Sequence, residues 1–172
     1  PHKSGQVLWN ISPRFEGNKP TFESNEIVYL GNISTPKGTD RMVDLAYYLK
    51  NTNFKLSIYG TARSGEDRLK SFLEERIKKE KLDQLVTFRG HTPHPEKILA
   101  KSFALIRPSR DNDPWGRDVI EATSIGLPVL ATGKFEGVIK DGFNGYLYET
   151  FDPEKMALDL ISLKNSSVLW NK

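Results

Sequence analysis

Six short apolar runs punctuate this chain, at residues 27–31, 54–59, 85–88, 103–106, 129–131 and 146–148. Each is rich in Ile, Val, Leu, Phe or Tyr, and all but 54–59 lack the polar alternation of a half-exposed strand. Runs of this kind suit strands buried on both faces, as in a parallel sheet. Between them lie segments of helical period. One starts at Thr39 or Asp40, either able to cap it, and buries Met42, Val43, Ala46 and Leu49. A strongly charged one covers residues 66–81, with Leu69, Phe72, Leu73 and Ile77 on its inner side. A short one covers 96–101, another runs from Gly116 to Gly126, and a short element is expected at Val138-Ile139. Asp152-Pro153 marks a last start, since Asp caps well and Pro suits the first helical position; Leu158, Leu160, Ile161 and Leu163 would face inward. Strand and helix in alternation predict an α/β fold, a Rossmann-like parallel sheet with helices on both faces.

The 172 residues suit one domain. Pro13, Gly17, Asn18 and Pro20 break up residues 1–25, which read as a linker leading into a domain at 26–172, with a candidate strand at 7–9. No cysteine is present and there are three histidines, which leaves no thiolate metal site and little for a histidine cluster. The expectation is no metal and no cofactor. Net charge is +3 with both signs mixed. No stripe of Lys and Arg interleaves with aromatics, so nucleic acid is not the expected partner, whereas a diphosphate or an anionic membrane surface suits the balance. No apolar run reaches the length of a membrane span.

Three places carry candidate chemistry. The loop from Gly31 to Gly38 joins a strand to a helix and contains Lys37. Exposed amides, a cation and a helix N-terminus there would hold phosphate oxygens, although a tight turn with a surface lysine reads the same way. The second place is the pair Asp113 and Glu121. Asp113 sits on the loop after the fourth strand, and Glu121 lies in the second turn of the helix that Gly116 introduces. A carboxylate can accept hydrogen bonds from vicinal hydroxyls, which fits ribose or hexose, and amides around Trp115, Gly116 and Arg117 would point to the carboxyl edge of the sheet. The simpler alternative makes Asp113 a cap and Glu121 a solvated residue. The third place is Gly90-His91-Thr92, where backbone groups could seat a nucleobase. His91 could be a catalytic base or an ordinary loop residue.

In order along the chain stand Tyr29-Leu30-Gly31, Lys37-Gly38, Phe88-Arg89-Gly90, Pro108-Ser109, Asp113-Pro114-Trp115-Gly116, Glu121-Ala122, Gly126-Leu127-Pro128-Val129 and Asp141-Gly142-Phe143-Asn144-Gly145-Tyr146. With this order and spacing the chain resembles the C-terminal, donor-binding half of a GT-B glycosyltransferase of glycosyltransferase family 4 (glycosyl transferases group 1), over about residues 26–150. The resemblance implies a donor-binding domain of a retaining, metal-independent enzyme that uses a UDP-, GDP- or ADP-sugar. It assigns Glu121 to the donor ribose, Asp113 to the transferred sugar, Pro114 and the Trp115-Gly116-Arg117 backbone to the diphosphate, and Lys37 to the leaving phosphates. Gly31, Asn32, Gly90, His91 and Thr92 complete the nucleotide-sugar site. Asp113, Lys37 and Glu121 are the catalytic candidates.

The same resemblance implies an acceptor-binding N-terminal domain in the same protein and a role in bacterial surface polysaccharide or lipopolysaccharide assembly. The setting would be cytoplasmic, peripheral on the inner membrane, with a lipid-linked acceptor. Three departures stand out. Asn32 occupies the place of the family's usual Arg, with Lys134 and Arg117 as candidate replacements for that charge. Asp113 is one methylene shorter than the usual Glu. Of the family's Gly-Gly-x-x-Glu pattern, only the first glycine survives in Gly133-Lys134-Phe135-Glu136-Gly137. A GT-B-fold sugar-nucleotide epimerase and a non-catalytic nucleotide-sugar binding or interaction module are the alternatives.

Overall fold

The computed structural model describes residues 19–111, 114–134 and 136–171. The candidate strand at 7–9 and Asp113 lie outside them. Along the chain come β1 (Glu26–Leu30), α1 (Thr39–Leu49), β2 (Lys55–Tyr59), α2 (Asp67–Lys79), β3 (Val86–Gly90) and α3 (Pro95–Leu99), then β4 (Ala104–Arg107), α4 (Arg117–Ser124), β5 (Val129–Thr132), β6 (Gly145–Tyr148), α5 (Pro153–Lys164) and α6 (Ser167–Trp170). The strands form one sheet in the order β3-β2-β1-β4-β5-β6, and every neighbouring pair is parallel. The Rossmann-like α/β expectation holds.

Side-chain alternation in the central strand explains why both faces must be covered. Ile27 and Tyr29 of β1 point into a core shared with α1, α2, α5 and α6. Val28 and Leu30 point the other way, into a core shared with α3 and α4. Residues 27–29 are buried on whichever face they use, and burying one such aliphatic side chain is worth about 1.5–3 kcal/mol. Segment 19–25 is anchored on the domain: Phe22 packs on Phe103 and Trp170 at 6.3 and 6.1 Å between ring centres.

Several local expectations need correction. Gly38, not Thr39 or Asp40, stands before α1, in the left-handed region at φ 71° and with no side-chain cap. The Thr39 hydroxyl is engaged elsewhere, as described below. Phe72 is 60% and Leu158 58% exposed, so the inward faces of α2 and α5 are narrower than the apolar pattern suggested. Met156 and Ala157 take the core positions on α5 instead. Residues 138–139 form no helix or strand; Ile139 is simply buried ahead of the turn into β6. The start of α5 is as expected, with the Asp152 carboxylate accepting from the Lys155 N–H at 2.9 Å and Pro153 in the first turn.

Candidate functional site

The chain enters the sheet at β1, winds outward through β2 and β3, then returns beside β1 as β4 and proceeds the other way. Loops leaving the carboxyl ends of β1 and β4 therefore start at the topological switch point of the sheet, the kind of place where open α/β sheets bind ligands. Both loops carry candidate residues: Gly31 to Gly38 after β1, and Pro108 to Gly116 after β4.

The two loops are tied together by polar contacts. The Arg110 N–H donates to the Pro36 carbonyl at 2.9 Å. The Arg41 guanidinium donates to the carbonyls of Pro108 and Ser109 at 2.9 and 3.1 Å. Arg110 grips Asp40 through both carboxylate oxygens, at 2.7 and 2.6 Å. Burial pushes the Asp40 carboxyl upward, but the Arg110 hydrogen bond and charge outweigh it and hold it below the usual range. The left-handed backbone at Gly38 lets α1 start against this loop; a Cβ there would stand 2.1 Å from the Pro108 oxygen.

Lys37 sits at the rim of this junction, 3.5 Å from Asp111. Asp111 also accepts from the Ser109 hydroxyl. Partial burial raises the Asp111 carboxyl, and the Ser109 bond together with the Lys37 charge more than reverses that. Lys37 is thus an accessible cation resting on an acid.

After the β4 loop, α4 begins at Arg117 with Gly116 as an extended N-cap and no side-chain cap. Its first-turn amides are left for solvent or an anionic ligand. Below this turn the buried Arg107 guanidinium donates to both oxygens of Asp118, at 2.9 and 3.1 Å. A Cβ on Gly116 would fall 2.6 Å from an Arg107 nitrogen, so the N-terminus of α4 rests directly on the ion pair. Sequence reasoning missed this pair, although Arg within an apolar strand was a visible signal. Pro114 is buried and Trp115 half-buried.

Glu121 lies in the second turn, as expected, but it is not waiting free. Arg117 donates to it at 2.8 Å; the Arg117 side chain is 80% exposed and that of Glu121 14%. The hydrogen bond and the charge of Glu121 raise the Arg117 pKa. Arg117 and Lys134 were the candidates to restore the charge missing at Asn32. Arg117 is engaged with Glu121, and Lys134 with Glu149 at 3.0 Å.

A cleft of about 170 Å³ completes the picture at the carboxyl ends of β1, β2 and β3, lined by Gly31, Asn32, Tyr59, Gly60, His91 and Thr92 among others. The structure thus gathers Gly31, Asn32, His91 and Thr92, with Gly90 ending β3, whereas Lys37 and Glu121 are held in separate ion pairs. A larger cavity of about 430 Å³, between Pro128, Asn144 and Trp170, lies at the opposite edge of the sheet and collects none of the candidate residues. Chemistry therefore favours the smaller cleft. No group of three or more His, Asp or Glu is placed to hold a metal among the described residues. No helix among them is long and apolar enough to cross a membrane.

Known proteins resemble this chain in sequence and in fold. A Staphylococcus aureus poly(ribitol-phosphate) alpha-N-acetylglucosaminyltransferase is 29% identical over 154 residues, which cover 86% of this chain and 30% of that protein. The poly(glycerol-phosphate) alpha-glucosyltransferase of Bacillus subtilis is 34% identical over 112 residues, covering 63% of this chain and 16% of that protein. This chain therefore spans a third or less of either relative. Among solved structures, Anabaena HepE in complex with UDP and glucose has the same fold, with a TM-score of 0.79 at 20% identity over 86% of this chain and 40% of that one. Residues 14–171 match the Glycosyl transferases group 1 family, and the chain belongs to it.

Proposed function

We propose that this domain binds the nucleoside-diphosphate sugar donor of a glycosyl transfer. The observation that carries the proposal is the junction at the β1–β4 switch point. There the loop after β1 carries a cation (Lys37), and the loop after β4 leads into an uncapped helix N-terminus (Gly116-Arg117) with a partly buried acid on that helix (Glu121), in a group 1 chain. In this reading Gly90, His91 and Thr92 seat the base, with Gly31 and Asn32 at the cleft mouth. Glu121 exchanges Arg117 for the ribose hydroxyls. Lys37 and the backbone of Trp115, Gly116 and Arg117 receive the diphosphate, Pro114 shapes that turn, and Asp113 meets the transferred sugar. UDP is the first candidate, because a neighbour of the same fold is recorded with UDP and glucose.

The reaction we infer for the whole protein is retaining and metal-independent, as in glycosyltransferase family 4. The anomeric bond to the diphosphate breaks and the acceptor oxygen bonds on the same face, its proton leaving with the diphosphate. Helix amides and Lys37 would stabilise the departing charge, the role that preorganised dipoles fill best. With alpha-linked UDP-sugar donors, the alpha products named for both relatives would be consistent with retention. Their polyol-phosphate acceptors favour surface polysaccharide assembly over lipopolysaccharide, with an acceptor presented at the membrane and an N-terminal domain of the same protein to bind it.

The test is thermal stabilisation by UDP-, GDP- and ADP-sugars with a metal chelator present. Ligand at about 100 times its dissociation constant adds about 2.7 kcal/mol of stability. One base should stabilise the domain and do so equally with chelator. No stabilisation by any of the three would refute the proposal; stabilisation abolished by chelator would refute metal independence.

A further inference from the structure

The loop that presents Asn32 and Lys37 is held from beneath by buried hydroxyls. Ser34 donates its N–H to the Thr39 hydroxyl at 3.1 Å. The Thr39 hydroxyl donates to that of Tyr29 at 3.2 Å, and Tyr29 donates to the Asn32 carbonyl at 2.7 Å. The Asn32 and Ser34 carbonyls are also within reach of the one Thr39 proton, each at 3.4 Å, but the Tyr29 oxygen is nearer, so the shortest hydrogen-bonded chain runs Ser34, Thr39, Tyr29, Asn32. Tyr29 is 3% and Thr39 0% exposed. Burial pushes the Tyr29 phenol up to about 12, more than the Thr39 bond lowers it, so the phenol stays a donor. In a low-dielectric site such linked bonds polarise and strengthen one another.

The chain acts on the orientation of one peptide. With the Asn32 carbonyl drawn inward onto Tyr29, the Ile33 N–H is aimed at the Thr61 carbonyl, 2.9 Å away. Asn32 is left at the cleft, and the loop returns through Pro36 and Lys37 to the β4 side. We propose that Tyr29 and Thr39 are positioning residues that set the donor-diphosphate loop from the core side, without touching the ligand. This rests on the donor-binding reading above. It predicts an effect on phosphate recognition that is separable from the base and from folding.

The experiment measures binding of UDP and of uridine, by calorimetry or NMR titration, to the chain and to four variants. Tyr29→Phe and Thr39→Val each break the chain while keeping side-chain volume; Thr39→Ser keeps the hydroxyl; Lys37→Ala reports the functional reading. Loss of one such hydrogen bond corresponds to roughly a fivefold change. UDP binding should weaken about fivefold in Tyr29→Phe and Thr39→Val and stay within about twofold in Thr39→Ser, with uridine within about twofold throughout. Should Tyr29→Phe fail to fold, the Thr39 pair carries the comparison. Equal weakening of UDP and uridine, or no weakening of UDP, in folded Thr39→Val would overturn this inference alone, provided Lys37→Ala still impairs UDP. Failure of the unsubstituted chain to bind UDP, GDP or ADP would overturn the donor-binding reading and this inference with it.

Discussion

Replacing Glu121 by Gln separates its proposed role in binding from its role in the fold. Its visible partner is Arg117, at 2.8 Å, an (i, i+4) pair with one highly exposed member. Exposed helical pairs of this kind contribute about 0.3–0.5 kcal/mol, which corresponds to roughly 1–2 °C in Tm for a chain of this size. Gln keeps the volume of a side chain that is only 14% exposed, so no cavity term is added. Hydrogen bonds to a charged group are worth about 1.5–3 kcal/mol, and Gln retains one acceptor of the two. Affinity for UDP should then fall roughly 10- to 150-fold, while the melting temperature scarcely moves. Calorimetry with UDP and 2′-deoxy-UDP on both proteins closes a cycle. If Glu121 holds the ribose diol, removing the 2′-hydroxyl costs affinity in the natural chain and little more in the variant. A folded Glu121→Gln protein binding UDP within twofold of the natural chain would refute the assignment, as would additive losses around the cycle.

Lys37→Ala should weaken UDP binding about tenfold at low salt and less at high salt, since an exposed cation acts through a screened field; a salt-independent loss in titrations would count against a Coulombic role. Gly38→Ala should destabilise the domain by at least about 1–2 kcal/mol, from the left-handed backbone alone, and the approach to the Pro108 oxygen adds to that; urea midpoints unchanged from the natural chain would contradict the loop packing. For pH dependence the relevant group is Asp40, held below its ordinary 3.8 mainly by Arg110 against the effect of burial. A depressed carboxyl stabilises the fold above its unfolded value and ceases to do so as pH falls through the folded one. The stability advantage of the natural chain over Asp40→Asn should therefore be constant above about pH 5 and shrink below about pH 4. An advantage that grows on acidification would show the sign to be wrong.

The architecture was legible because its cause is local. Short apolar runs separated by helical periods leave little choice but a parallel sheet, and all six strands appear within a residue or two of those runs. What escaped was set by tertiary context. Phe72 and Leu158 fit an apolar periodicity yet face solvent, because the layers of α2 and α5 meet their neighbours over a narrower stripe. Thr39 looked like a cap, but its hydroxyl serves Ser34 and Tyr29, contacts fixed only once α1 lies against β1. The final short helix, α6, is capped by Ser166 and held by Trp170 donating to the Phe103 carbonyl, a partner 67 residues away. At the site, the Arg117–Glu121 spacing was visible as a helical pair, whereas the buried Arg107–Asp118 pair joins two elements, so Arg107 at the end of an apolar run signalled a buried charge but not its partner.

The central claim is that a nucleoside diphosphate binds at the β1–β4 switch point, and amide chemical-shift mapping during titration with UDP, GDP and ADP tests it most directly. The account predicts saturable shifts for one nucleotide at residues 31–38, 90–92 and 114–121, unaffected by chelator. It predicts none around Pro128, Asn144 and Trp170, at the opposite edge of the sheet. Saturable shifts confined to that opposite edge, or no saturation with any of the three, would contradict it.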